Sequence, residues 1–156
     1  MAEGVSRLIR SWNRFFANFN LNEFAYCIEK NLKIIKSFRK RNIESLSERD
    51  NEIIRDLFNQ FLDALKRESD KARSPVSVAK ALNPLCPDFF PIWDSSIAIE
   101  YDCFYAVFSA VMYIKFCYKM KLFAGRIKSC VPKLDDRSIL KRIDEYNYSR
   151  YSRHWI

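Results

Sequence analysis

Apolar side chains recur every three or four positions through most of this 156-residue chain, the spacing of helices that each bury one face. Leu8, Trp12, Phe15, Phe16 and Phe19 make the first stripe, with Arg7, Arg10 and Arg14 between them. They predict a helix ending near Asn18 to Asn20. Phe24, Ile28, Leu32, Ile35 and Phe38 make the second stripe, on a helix starting near Leu21 and running out in Arg39, Lys40 and Arg41. Ser45 and Glu48 have the spacing of a reciprocal cap and open a third helix, with Ile54, Leu57, Phe58, Phe61 and Leu65 inward. Alternation of apolar and polar residues never lasts long enough to predict a sheet.

Prolines punctuate the middle of the chain. Four of the five, Pro75, Pro84, Pro87 and Pro91, fall between residues 74 and 97. Ser74 followed by Pro75 reads as an N-cap and first helical position, so a short helix runs through Lys80 and Leu82. Pro84 and Pro87 are expected to stop it, because each lacks an N–H and restricts its predecessor. Asp94 then caps a long, very apolar helix from about Ser95 to Phe123, ended by Gly125 and central to the core. A last helix, capped by Asp135 or Asp136, turns Ile139, Leu140, Ile143 and Tyr146 inward. The expectation is an all-α fold: one compact domain, residues 1–156, of about six helices around a central hydrophobic one.

Two glycines in the whole chain exclude phosphate-cradling loops and dinucleotide fingerprints. The five cysteines are odd in number with no Cys-x-x-Cys pair, and there is one histidine, His154. They read as buried free thiols in a reducing compartment, with no metal site and no cofactor. Residues 103–114, the longest apolar run, are too few to span a bilayer. No signal peptide is apparent, so a cytoplasmic protein with no membrane association is expected. Self-association is left open.

The net charge of +8 is unevenly placed. Residues 1–44 carry nine Lys and Arg against four acids, residues 45–102 seven against eleven, and residues 103–156 eleven against four. If the basic ends meet, they form a positive surface suited to a phosphate backbone. Lys36, Arg39, Lys40 and Arg41 are the first cluster. Lys119, Lys121, Arg126 and Lys128, with Lys115, are the second, and Tyr113, Tyr118 and Phe123 are interleaved to stack on unpaired bases. The bland alternatives are solvated charge and core aromatics.

Lys80 in Ala79–Leu82, followed by Pro87 to Ile97 with its Pro-Ile-Trp-Asp turn, resembles a motif of uncharacterised microbial proteins, and residues 143–148 look like its second part. More distantly, this unit is similar to the helix-hairpin-helix DNA glycosylase superfamily. That resemblance implies a Schiff-base amine at Lys80 and a carboxylate at Asp94 that steadies positive charge on a flipped nucleotide's sugar. The resulting expectation is a nucleic-acid-binding protein, DNA first, related to such glycosylases. The alternatives are a non-enzymatic interaction or assembly module, and an active glycosylase or lyase using Lys80 and Asp94.

Overall fold

The computed structural model describes residues 2–12, 18–130 and 138–156. Eight α-helices are present among them: α1 (Ala2–Trp12), α2 (Leu21–Lys30), α3 (Leu32–Arg39), α4 (Asn51–Ala64), α5 (Pro75–Leu85), α6 (Ser95–Glu100), α7 (Ser109–Cys130) and α8 (Ile139–Asn147). Two 3-10 turns, Ile43–Ser45 and Glu48–Asp50, lead into α4, and a π-helical turn, Tyr148–Ser152, follows α8. The only pairing of extended backbone among the described residues is an isolated bridge between Phe19 and Arg67. The all-α expectation holds.

The buried side chains form one cluster centred on aromatic rings. Trp93 is fully buried and meets Phe58, Tyr105, Tyr113 and Phe116 at centroid distances of 4.9–6.4 Å. Phe38 meets Phe89 at 4.6 Å and Phe90 at 5.2 Å, joining the end of α3 to the loop after α5. The long helix α7 packs against both α4 and α8 and is the central element. Burying each such ring stabilises the fold by about 1.5–3 kcal/mol, so the loop carrying Phe89, Phe90 and Trp93 is an anchor of the core.

Two of the six expected helices are each split in two, which makes eight. The second breaks at Asn31, whose side-chain amide donates to the Cys27 carbonyl at 2.9 Å and to Gln60 Oε1 at 3.0 Å. The long apolar helix breaks across residues 101–108, where Asp102 and Phe108 have φ of 49° and 53°. Cys103 N–H turns back to the Ala98 carbonyl at 2.8 Å, and Tyr101 Oη donates to Asn147 Oδ1 at 2.8 Å. Both breaks combine a local bond with one to a partner distant in sequence, and neither falls at a glycine or proline.

Other boundaries shift as well. Phe19 lies outside α1, in the bridge to Arg67, while Val5 and Ile9 form the buried face and Leu8 is turned outward. The expected stripe members Phe15 and Phe16 lie outside the described residues. The reciprocal cap sits two residues later than expected, with Ser47 N–H donating to Asp50 Oδ2 at 2.8 Å. Pro84 is inside α5, because Cys86 N–H reaches the Leu82 carbonyl at 2.9 Å and closes the turn past the missing donor. Gly125 lies within α7, without a left-handed φ, and does not end it. Ser138 caps α8 through the Lys141 N–H, and the candidate caps Asp135 and Asp136 lie outside the described residues. Tyr146 is exposed, since Leu140, Ile143, Asp144 and Asn147 take the inner face of α8.

Candidate functional site

The cations of α7 divide by helical geometry. Lys119 and Arg126 are seven residues apart and share one side, as do Lys121 and Lys128. At 3.6 residues per turn the two pairs point about 160° apart. Lys121 Nζ donates to the Leu46 carbonyl, and Lys128 lies 3.3 Å from the Glu44 carboxylate. These contacts pin α7 to the segment that follows Arg41, so the two basic stretches of sequence are neighbours in space. They also commit Lys121 and Lys128 to partners within the molecule.

Arg41 is committed too. Its guanidinium forks onto Asp50, with Nη1 to Oδ1 at 2.7 Å and Nη2 to Oδ2 at 2.8 Å. It lies 4.9 Å from the Phe89 ring centroid and 5.3 Å from that of Phe38. The hydrogen bonds from Arg41 hold the Asp50 carboxyl down at about 2, against the effect of burial. Lys36, Arg39 and Lys40 stay exposed at the end of α3. Arg39 and Lys40 rim a cleft of about 420 Å³ whose far wall is Ser138, Ile139 and Leu140 at the start of α8.

A second cleft of about 320 Å³ lies between α7 and the C-terminal turn. Its walls include Tyr101, Phe123, Tyr146 and Tyr151, and Lys119 and Arg126 stand beside them. The rings form an edge-to-face chain: Phe123 to Tyr146 at 6.1 Å, Tyr146 to Tyr151 at 6.2 Å, Tyr151 to Tyr101 at 5.8 Å. Of the rings expected to stack on bases, Phe123 lines this cleft. Tyr113 instead is fully buried and donates to the Pro91 carbonyl at 2.9 Å, and Tyr118 donates to Asn51 Oδ1 at 3.1 Å. Tyr101, Tyr146 and Tyr151 escaped sequence reasoning as a group, because only the packing of α8 on α7 and of the C-terminal turn on α6 gathers them. For Tyr146 and Tyr151 the signal in the chain is the aromatic, basic character of the C-terminal stretch; Tyr101 carries none.

Lys80 and Asp94 lie near enough for their charges to interact. Lys80 is half-buried on α5; burial pushes its amine down, and the nearby Asp94 carboxylate acts against that shift. Asp94 caps α6, accepting from Ile97 N–H at 2.9 Å, and its other oxygen accepts from Ser152 Oγ at 2.6 Å. The carboxylate therefore ties α6 to the C-terminal turn. Neither cleft is lined by Lys80 or Asp94.

Another buried carboxyl lies on the inner face of α8. Asp144 of α8 accepts from Ile92 N–H at 3.2 Å and from Asn83 Nδ2 at 3.3 Å, and desolvation pushes its pKa up to about 8. The corner between α6 and α7 holds a different surface: Phe104, Val107 and Phe108 are 47%, 66% and 76% exposed, beside the exposed Ile99 and Val111. Among the described residues, no group of three or more His, Cys, Asp and Glu side chains is placed to hold a metal ion. No helix among them is long and apolar enough to cross a membrane.

Compared with known protein families, curated proteins and solved structures, the chain matches none. Its geometry alone carries the functional reading.

Proposed function

We propose that the protein binds nucleic acid, single-stranded DNA first, in the cleft between α7 and the C-terminal turn. One observation carries this reading: Lys119 and Arg126 stand beside a groove walled by four aromatic rings. Unpaired bases present flat faces to aromatic side chains, each stack being worth about 1–3 kcal/mol, while cations alongside follow the phosphates. Duplex DNA hides its base faces and has no use for such rings. Lys121, Lys128 and Arg41 stand apart from this role, because each is bound to a partner within the molecule.

The test is binding of labelled single- and double-stranded DNA and RNA across a salt titration. Affinity for the single strand should fall steeply with salt, and Lys119→Ala with Arg126→Ala should flatten the slope by about 1 for each phosphate that is no longer neutralised. Lys121→Ala with Lys128→Ala should leave the slope unchanged. Absence of binding at low salt, or equal effects from the two pairs, would sink the reading.

A second reading, a non-enzymatic assembly module, has its own observation in the exposed apolar corner of Phe104, Val107 and Phe108. Sedimentation decides it. Concentration-dependent self-association that Phe108→Asp abolishes would support it, and a monomer at all concentrations would remove homo-oligomerisation as its basis.

A further inference from the structure

The two clefts sit at opposite ends of one helix. Ile139 and Leu140 at the start of α8 line the cleft under Arg39 and Lys40, and Tyr146 near its end lines the cleft beside Lys119 and Arg126. Ile139 and Tyr146 are seven residues apart, so two turns bring them to the same flank, and Arg142, three residues on from Ile139, falls between them. That flank lies outside the face by which Leu140, Ile143, Asp144 and Asn147 enter the core. Tyr146 on it is exposed and Arg142 half-buried.

Charge along this line favours an anion. Glu44 lines the first cleft, but Lys128 stands 3.3 Å from its carboxylate. Glu145 is exposed on α8, with Lys141 3.6 Å from it. Asp88 is the remaining acid at the first cleft, against Arg39 and Lys40. Along the helix axis, Ile139 to Tyr146 spans about 10 Å at 1.5 Å per residue, at most about three nucleotide steps at the stacked duplex rise of 3.4 Å and fewer for an extended strand.

We propose that the two clefts are the ends of one track for an extended single strand. Its phosphates pass from Arg39 and Lys40, by Arg142, to Arg126 and Lys119, and its last bases lie against Tyr146 and Tyr151. The track deepens the nucleic-acid reading and rests on it. With a nucleotide or two seated in each cleft, it defines a footprint of about four to six nucleotides, within the range of known single-strand binding sites.

The experiment is anisotropy with labelled oligothymidylates of two to twelve nucleotides, with unlabelled dinucleotide as competitor, on the full chain. Affinity should rise at least about tenfold between two and six nucleotides and gain little beyond, as phosphate contacts are completed. Arg39→Ala with Lys40→Ala, and separately Arg142→Gln, should bring the hexamer down toward the dinucleotide and leave the dinucleotide unchanged. Arg39 and Lys40 are exposed, so their removal leaves the core intact. A dinucleotide that binds as tightly as a hexamer, or a hexamer indifferent to both variants, overturns the track while the Lys119 and Arg126 cleft stands. No binding at any length overturns the nucleic-acid reading itself.

Discussion

Arg41 and Asp50 face each other through two parallel hydrogen bonds of 2.7 and 2.8 Å, with the carboxylate almost entirely withdrawn from water. The pair joins the end of α3 to the start of α4, and the guanidinium also covers Phe38 and Phe89. A carboxyl held at about 2, below its ordinary 3.8, stabilises the folded state above pH 4 and loses that effect as pH falls through 2. Asp50→Asn should therefore cost about 2 kcal/mol at pH 7. Urea unfolding at several pH values checks this; wild type and variant should converge near pH 2.

Asp144 has the opposite sign. Its folded-state pKa of about 8 lies above the ordinary 3.8, so between these values the folded protein holds a proton that the unfolded chain has released. The contribution of Asp144 to stability is full below pH 4 and is lost as pH rises toward 8. Lys141 moderates the shift and Glu145 adds to it. Asp144→Asn should flatten the slope of melting temperature against pH over that window, and an unchanged slope would place its origin elsewhere.

Asp94 holds the cap of α6 with one oxygen and Ser152 with the other. Asp94→Ala should destabilise the fold by about 1–2 kcal/mol and Ser152→Ala by about 1 kcal/mol, measurable by denaturant titration. Neither cleft reaches Lys80, and the stretch from Ser74 to Ala79 has no glycine to let backbone N–H groups approach a phosphate. Borohydride with abasic-site DNA should therefore trap no adduct. An adduct that Lys80→Ala loses would instead assign Lys80 the Schiff-base role.

Cys27, Cys86, Cys103 and Cys117 are buried and Cys130 is exposed. Burial pushes the Cys27 thiol up to about 11 and that of Cys86 up to about 12. Thiolate is the reactive form, so a disulfide-exchange reagent should modify about one thiol rapidly in the native protein. All five should react in denaturant, and Cys130→Ser should remove the fast phase.

Helix faces were legible in the chain wherever one stripe met one core, as with Ile54, Leu57, Phe58 and Phe61 of α4. The helix breaks were not. Asn31 and Tyr101 are ordinary helix residues until Gln60 and Asn147 bind their side chains, and neither partner is close in sequence. Charge showed the same limit. Lys119 and Lys121 look alike in the sequence, yet Lys119 opens on an aromatic cleft while Lys121 donates to the Leu46 carbonyl. The cationic half of the candidate site could be read from composition, whereas its tyrosines, up to 50 positions apart, needed the fold.

Asp144 accepts from Ile92 N–H and Asn83 Nδ2, 52 and 61 residues away, so α8 is tied to the loop that carries Trp93 as well as packed on α7. Leu140 and Ile143 of the same helix lie in the buried cluster that contains Trp93, so the helix is part of the core it covers. Because α8 also walls both clefts, their shape depends on the integrity of that core. Binding competence and global stability are then coupled quantities in this protein, and both should be lost together in a denaturant titration.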